Sequence, residues 1–162
     1  MKRKNTMIKY IIYILIIIAL IAIDQLTKVW AFKALPDNEA IDCLKPLFRF
    51  EKVYNNGAIF GILKGKMWLF YIFTAIGMAV FIYLMKYADY IKYPFYTAGL
   101  ILMIAGTIGN FIDRVFFNEV RDFLTFGFFN FAVFNFADMC MTCGIIALCI
   151  DLLFNDFGGI WK

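Results

Sequence analysis

The chain has 162 residues, a net charge of +4 and no histidine; 64% of its residues are hydrophobic and only 17% are charged. A domain of this size keeps much of its surface wet, so this composition excludes a water-soluble globule, a disordered chain and a disulfide-knit secreted module, and leaves an integral membrane protein. The charge is too small and too dispersed for a nucleic-acid footprint; without histidine, the commonest proton shuttle and metal ligand, acid–base chemistry falls to carboxylates, lysine, tyrosine or cysteine.

The first apolar run, Tyr10 to Ile23, continues past Asp24 and Lys28 to Phe32 and is long enough to span. Its basic start resembles a signal peptide, but no Ala-x-Ala-like site follows, so the run is expected to remain as a helix. In the loop that follows, Leu47 to Tyr54 alternates in the manner of a short strand, and Pro36, Pro46, Asn55, Asn56 and Gly57 supply turns. Met67 to Met85 is a charge-free second span. Tyr93 to Ile112 is a third, ending at Asp113 and Arg114. Phe123 to Ile150 is too long for one crossing, so its first part is expected to be a loop or interfacial segment, with a fourth helix from Asn135.

The expected fold is a mainly α membrane protein of one domain, with four transmembrane helices over about 10–32, 67–87, 93–113 and 135–155. A small extracellular β element sits in the first outer loop, about 33–66; the second outer loop covers about 114–134. Lys2, Arg3, Lys4 and Lys9 before the first helix, with Lys86 and Lys92 flanking the link between the second and third, place both termini in the cytoplasm. No internal repeat suggests an inverted-repeat transporter.

An ionisable side chain at mid-helix costs about 2.5–3.5 kcal/mol even on the milder insertion scales, so each one asks for a reason. Asp24 and Lys28, at i and i+4, are expected to be a self-paired structural couple with Lys28 snorkelling to the interface. Asp113 and Arg114 either anchor a helix end or, in the case of Arg114, organise carboxylates nearby. Asp122 lies in the second outer loop and Asp138 one turn into the fourth helix, so a fold-back of the connection brings them to one depth. Two carboxylates in a poorly solvated site share a proton near neutrality, the acid–base arrangement of an aspartic protease. The alternative is two unrelated interfacial aspartates. Asn110, inside an apolar helix, needs hydrogen-bond partners; a peptide backbone or a neighbouring helix supplies them. Asn135 suits a helix N-cap.

Cys140-Met141-Thr142-Cys143 has the C-x-x-C form but lies within a span without histidine or a second pair, so packing is favoured over redox or zinc chemistry. Gly106 and Gly109 are expected to let helices approach closely. A small transporter or channel using Asp24, Asp113 and Asp138 is the competing reading; it calls for acids spread through the membrane depth, whereas most of them sit at the outer helix ends. A non-catalytic scaffold is a third.

Five segments in order resemble bacterial lipoprotein signal peptidase, or signal peptidase II. They are Asp24-Gln25-Leu26-Thr27-Lys28, Asn55-Asn56-Gly57-Ala58-Ile59-Phe60, Gly109-Asn110-Phe111-Ile112-Asp113-Arg114, Val120-Arg121-Asp122-Phe123 and Phe134-Asn135-Phe136-Ala137-Asp138. Ile59, Met139 and Cys140 stand where the family more often has small residues, which bears on pocket shape. The resemblance implies an intramembrane aspartic endopeptidase that removes the signal peptide from diacylglyceryl-modified prolipoproteins, cutting N-terminal to the lipidated cysteine. It implies Asp122 and Asp138 as catalytic dyad, with Asn55, Gly57, Asn110, Arg114 and Asn135 shaping or supporting the substrate site. It further implies no metal or cofactor, globomycin as inhibitor, membrane lipid as surroundings, and a site near the outer face of the bacterial cell membrane.

Overall fold

In hydrocarbon a single helix satisfies its backbone groups within its own segment, and each apolar run takes that solution. The computed structural model describes residues 2–37, 39–57 and 66–154; Ile59 and the rest of 58–65 lie outside the described residues. The helices are α1 (Lys2–Ala34), α2 (Met67–Met85), α3 (Pro94–Phe117) and α4 (Phe136–Phe154), each long and apolar enough to cross a membrane. The protein is a multi-pass membrane protein. α1, with 33 residues, is about 50 Å long and exceeds the ~30 Å hydrocarbon core. α2 buries none of its residues and presents Ile72, Phe73, Ile76 and Val80 outward, as a helix apolar all round does in lipid. α3 begins at Pro94, whose fixed φ suits a first turn, and stops at Asn118, left-handed at φ 57°. It continues about one turn past the expected end, so Asp113 and Arg114 lie inside the helix.

Three antiparallel strands, β1 (Ile41–Cys43), β2 (Phe48–Asn55) and β3 (Val120–Phe126), form one sheet in the order β1-β2-β3. The β element therefore draws on both loops, and Asp122 sits on a strand rather than in a loop. β3 is buried along nearly its whole length, so it lacks the period-two alternation that betrays a half-buried strand. Between Phe50 and Val53 the β2–β3 register slips by one residue. Beyond the slip, Val53 faces Asp122 and Asn55 faces Val120, which puts Asn55 diagonal to Asp122 on one face. A bridge between Leu124 and Phe134 then folds the connection back, delivering Asn135 beside β3 at the start of α4.

α3 is the central helix and packs chiefly on α4. Its glycines set the distance. A Cβ on Gly99 would lie 2.9 Å from the Gly144 carbonyl, one on Gly106 would collide with the Ala137 carbonyl, and one on Gly109 would lie 2.6 Å from Asp24 Oδ2. In lipid such close approach is itself the driving force, because apolar side chains gain nothing by leaving hydrocarbon for one another. Gly106→Leu is expected to force α3 from α4 and cost at least 1–3 kcal/mol, roughly the range of core overpacking. Thermal unfolding in detergent measures it; an unchanged midpoint would refute the packing assignment. At the end remote from the sheet, Tyr13, Ala88, Tyr96, Leu100 and Ile101 form a second anchor, where Asp151 of α4 accepts the Tyr96 N–H (3.3 Å) in the first turn of α3.

Candidate active site

Asp122 (β3) and Asp138 (α4) are held by one set of amides. Asn55 Nδ2 donates to Asp122 Oδ2 (3.0 Å) and Asn135 Nδ2 to Asp122 Oδ1 (2.6 Å). Asn110 Nδ2 donates to Asp138 Oδ1 (2.8 Å), and the Asn135 backbone N–H to Asp138 Oδ2 (3.0 Å). Asn135 therefore touches both carboxylates. Its Oδ1 accepts the Asp138 N–H (3.1 Å), so Asn135 and Asp138 make a reciprocal cap on α4, with Asp138 in the third helical position. Capping chemistry and site geometry are one arrangement here.

Each amide is oriented by a further partner. Gly57 N–H donates to Asn55 Oδ1 (3.0 Å), which turns the Asn55 amino group toward Asp122. Asn110 Oδ1 accepts from Lys28 Nζ (3.1 Å) and from Asn135 Nδ2 (3.0 Å), which turns its amino group toward Asp138. Asp122 is almost fully buried, at 2% exposure. Burial, reinforced by the negative charge of Asp138, pushes its carboxyl up to about 7, against the lowering effect of Asn55, Asn135 and Lys28. A carboxyl on this strand thus keeps its proton close to neutrality.

Lys28 does not snorkel. It is wholly buried, 2.9 Å from Asp24 Oδ2 and 3.6 Å from Asp113 Oδ2. Inside the bundle, carboxylates on two helices and the side-chain oxygen Oδ1 of Asn110 offer it more than a distant interface does. Asp24 serves α4 as well as Lys28, since its Oδ1 accepts the Ala137 N–H (2.9 Å) in the first turn, where negative charge is favourable. The expected self-paired couple is thus a junction of α1, α3 and α4. Arg114 forms no ion pair among the described residues; its guanidinium lies over the Phe70 ring (4.5 Å) and donates to the Asn110 carbonyl (3.4 Å).

Three residues of this network, Asp113, Arg121 and Gln25, lie outside the peptidase site that the sequence predicts. Asp113 anchors no interface; it is fully buried, and Arg121 Nη2 donates to its Oδ1 (2.8 Å). Gln25 Oε1 accepts from the same Nη2 (2.9 Å), and Gln25 Nε2 donates to the Gly109 carbonyl (3.1 Å). The signal for Arg121 was its place next to Asp122 in an otherwise apolar stretch. Cys140 is buried and Cys143 exposed, both as free thiols. Among the described residues, no group of three or more acidic or cysteine side chains has the geometry to hold a metal ion.

Four membrane-crossing helices around an amide-held pair of aspartates, Asp122 buried and Asp138 half-buried, define a membrane protein equipped as an aspartic peptidase is. The comparisons agree with that class. Residues 16–154 match the family model described as signal peptidase (SPase) II. The lipoprotein signal peptidase of Lactiplantibacillus plantarum is 39% identical over 150 residues, covering 90% of this chain and 96% of the relative. That of Geobacillus thermodenitrificans is 40% identical, covering 89% and 91%. A bacterial membrane enzyme solved by the in meso method at 2.3 Å superposes with a TM-score of 0.80 at 33% identity, covering 91% of this chain and 90% of its own. The chain belongs to the signal peptidase II family and is a peptidase.

Proposed function

We propose that this protein removes the signal peptide from diacylglyceryl-modified prolipoproteins, cutting on the N-terminal side of the lipidated cysteine, with Asp122 and Asp138 as its catalytic dyad. The observation that carries the reading is the coupling of the buried Asp122 carboxyl and the half-buried Asp138 carboxyl through Asn135, with burial pushing Asp122 up to about 7. One carboxylate, ionised, takes a proton from the attacking water; the other, protonated, donates to the scissile carbonyl oxygen. When the tetrahedral intermediate collapses, the first returns its proton to the leaving nitrogen. Asn55, Asn110 and Asn135 already donate to the carboxylate oxygens, so the moving proton occupies a lone pair those amides leave free.

A signal peptide is an apolar helix, so its protease meets it within the bilayer, and a lipidated cysteine holds the cleavage point at the interface. The dyad lies where the helical bundle meets the sheet, a level that reaches both lipid-held substrate and water. The basic residues Lys2, Arg3, Lys4 and Lys9 at the start of α1 support cytoplasmic termini and a site near the outer face of the bacterial cell membrane. Globomycin is the expected inhibitor, and Arg114 and Gly57 border the substrate site.

Activity on a lipidated prolipoprotein is expected to follow a bell in pH and to survive EDTA. Above about 7 the pair loses its shared proton and with it the acid; at lower pH a second proton removes the base. A rate that climbs steadily into alkaline pH, or one abolished by EDTA and restored by zinc, would refute the dyad.

A further inference from the structure

Arg121 precedes Asp122 on β3, and successive strand residues point to opposite faces. While Asp122 meets Asn55 and Asn135, Arg121 is buried against α1 and α3. Its backbone N–H and its Nε donate to Asp113 Oδ2 (2.9 and 3.1 Å), and its Nη2 donates to Asp113 Oδ1 (2.8 Å) and Gln25 Oε1 (2.9 Å). The guanidinium plane lies 4.5 Å from the Phe117 ring centroid. Main chain and side chain of one residue are thus clamped to one carboxylate, in the bidentate geometry that only arginine provides.

Asp113 shares a face of α3 with Asn110, three residues earlier, and Asn110 donates to Asp138. One helix face therefore holds both members of the pair: Asp138 through Asn110, and the strand of Asp122 through Asp113. Lys28 spans the two anchors. Gln25 closes the other side, donating to Asp113 Oδ1 (3.2 Å) while accepting from Arg121.

We propose that Arg121 is a positioning residue for peptide hydrolysis: by clamping β3 to Asp113 and Gln25 it fixes the separation of Asp122 from Asp138. The inference rests on the reading of those aspartates as the dyad. Arg121 touches neither carboxylate of the pair, so its contribution passes through the strand.

The experiment uses the full chain in detergent, with a diacylglyceryl-modified prolipoprotein followed across pH, and with unfolding midpoints measured in parallel. Arg121→Lys keeps the charge but loses the two-pronged grip. Misplacement on the scale of an ångström predicts a fall in kcat of about a hundredfold, with KM changed less than about twofold. The groups facing Asp122 are Asp138 from α4, Lys28 from α1, Arg114 from α3, and the amides of Asn55 and Asn135. With β3 loosened the two carboxylates repel less, so the alkaline limb moves to lower pH.

A folded Arg121→Lys with wild-type kcat and an unmoved limb overturns the inference, as does a rise in KM alone. If Arg121→Lys fails to fold, Gln25→Ala decides, since it removes one of the two acceptors of Nη2 and leaves the Asp113 pair in place; a smaller fall in kcat with the same limb shift is expected, and wild-type behaviour overturns the inference. Asp122→Asn separates the two levels. An inactive Asp122→Asn beside a fully active Arg121→Lys refutes the role of Arg121 alone, whereas an active Asp122→Asn refutes the dyad and the inference together.

Discussion

Asp122→Asn and Asp138→Asn are each expected to lower turnover of a lipidated prolipoprotein by at least about a thousandfold, because an amide neither takes the proton of the attacking water nor donates one as a carboxylic acid does. The replacements are nearly isosteric, so no cavity opens. They carry a local conflict, since each carboxylate receives two N–H donors and an asparagine at either place points its own amino group at one of them. That conflict costs about 1–3 kcal/mol, a modest loss of stability beside a near-total loss of activity. Single-turnover cleavage and the unfolding midpoint, measured on the same samples, separate the two effects. Near-wild-type turnover by either variant would remove that residue from the dyad.

Lys28→Met is expected to be the most damaging single change to stability. Lys28 is wholly buried between Asp24, Asp113 and the side-chain oxygen Oδ1 of Asn110, so its loss leaves two buried carboxylates short of their cation. Breaking a buried pair from one side costs about 3–5 kcal/mol. The same change acts on the chemistry. The Lys28 charge lowers the Asp122 carboxyl, so its removal lets burial and Asp138 push that group further up. Whatever activity survives should then show an alkaline limb displaced to higher pH, opposite in sign to the shift expected of Arg121→Lys. Denaturant unfolding with a parallel pH profile provides the check. A Lys28→Met protein with an unchanged midpoint would mean that Asp24 and Asp113 find full compensation elsewhere.

For Asp122 itself the linkage has a definite sign. Its carboxyl sits higher in the folded protein than in an unfolded chain, so protonation favours the fold, and that contribution is lost as the pH rises through about 7. The site gives up some stability at alkaline pH, which is the consequence of holding an acid ready at neutrality.

The sequence by itself determined the membrane class and the helical crossings, because hydropathy over about 20 residues is a local property and the bilayer imposes a helix on any such run. It also picked out Asp122, Asp138, Asn110 and Asn135, since polar groups in apolar surroundings stand out one at a time, and pointed to Asn55 through the family resemblance of the segment Asn55 to Phe60. The sequence left open what those groups do for one another. β3 was hidden because a strand buried on both faces has no alternation to detect. Lys28 looked free to snorkel because its partner Asp113 is far along the chain. Gln25 and Arg121 are separated by 96 residues and Asn55 and Asp122 by 67, and no local pattern links such positions. Only the tertiary structure, in which glycines bring α3 against α4 and the Leu124–Phe134 bridge turns Asn135 back to β3, decided that the polar residues form one network. Its physical reason is satisfaction: a helix pairs its own backbone groups, but the buried polar side chains of the site, away from water, find most of their partners in other segments of the chain.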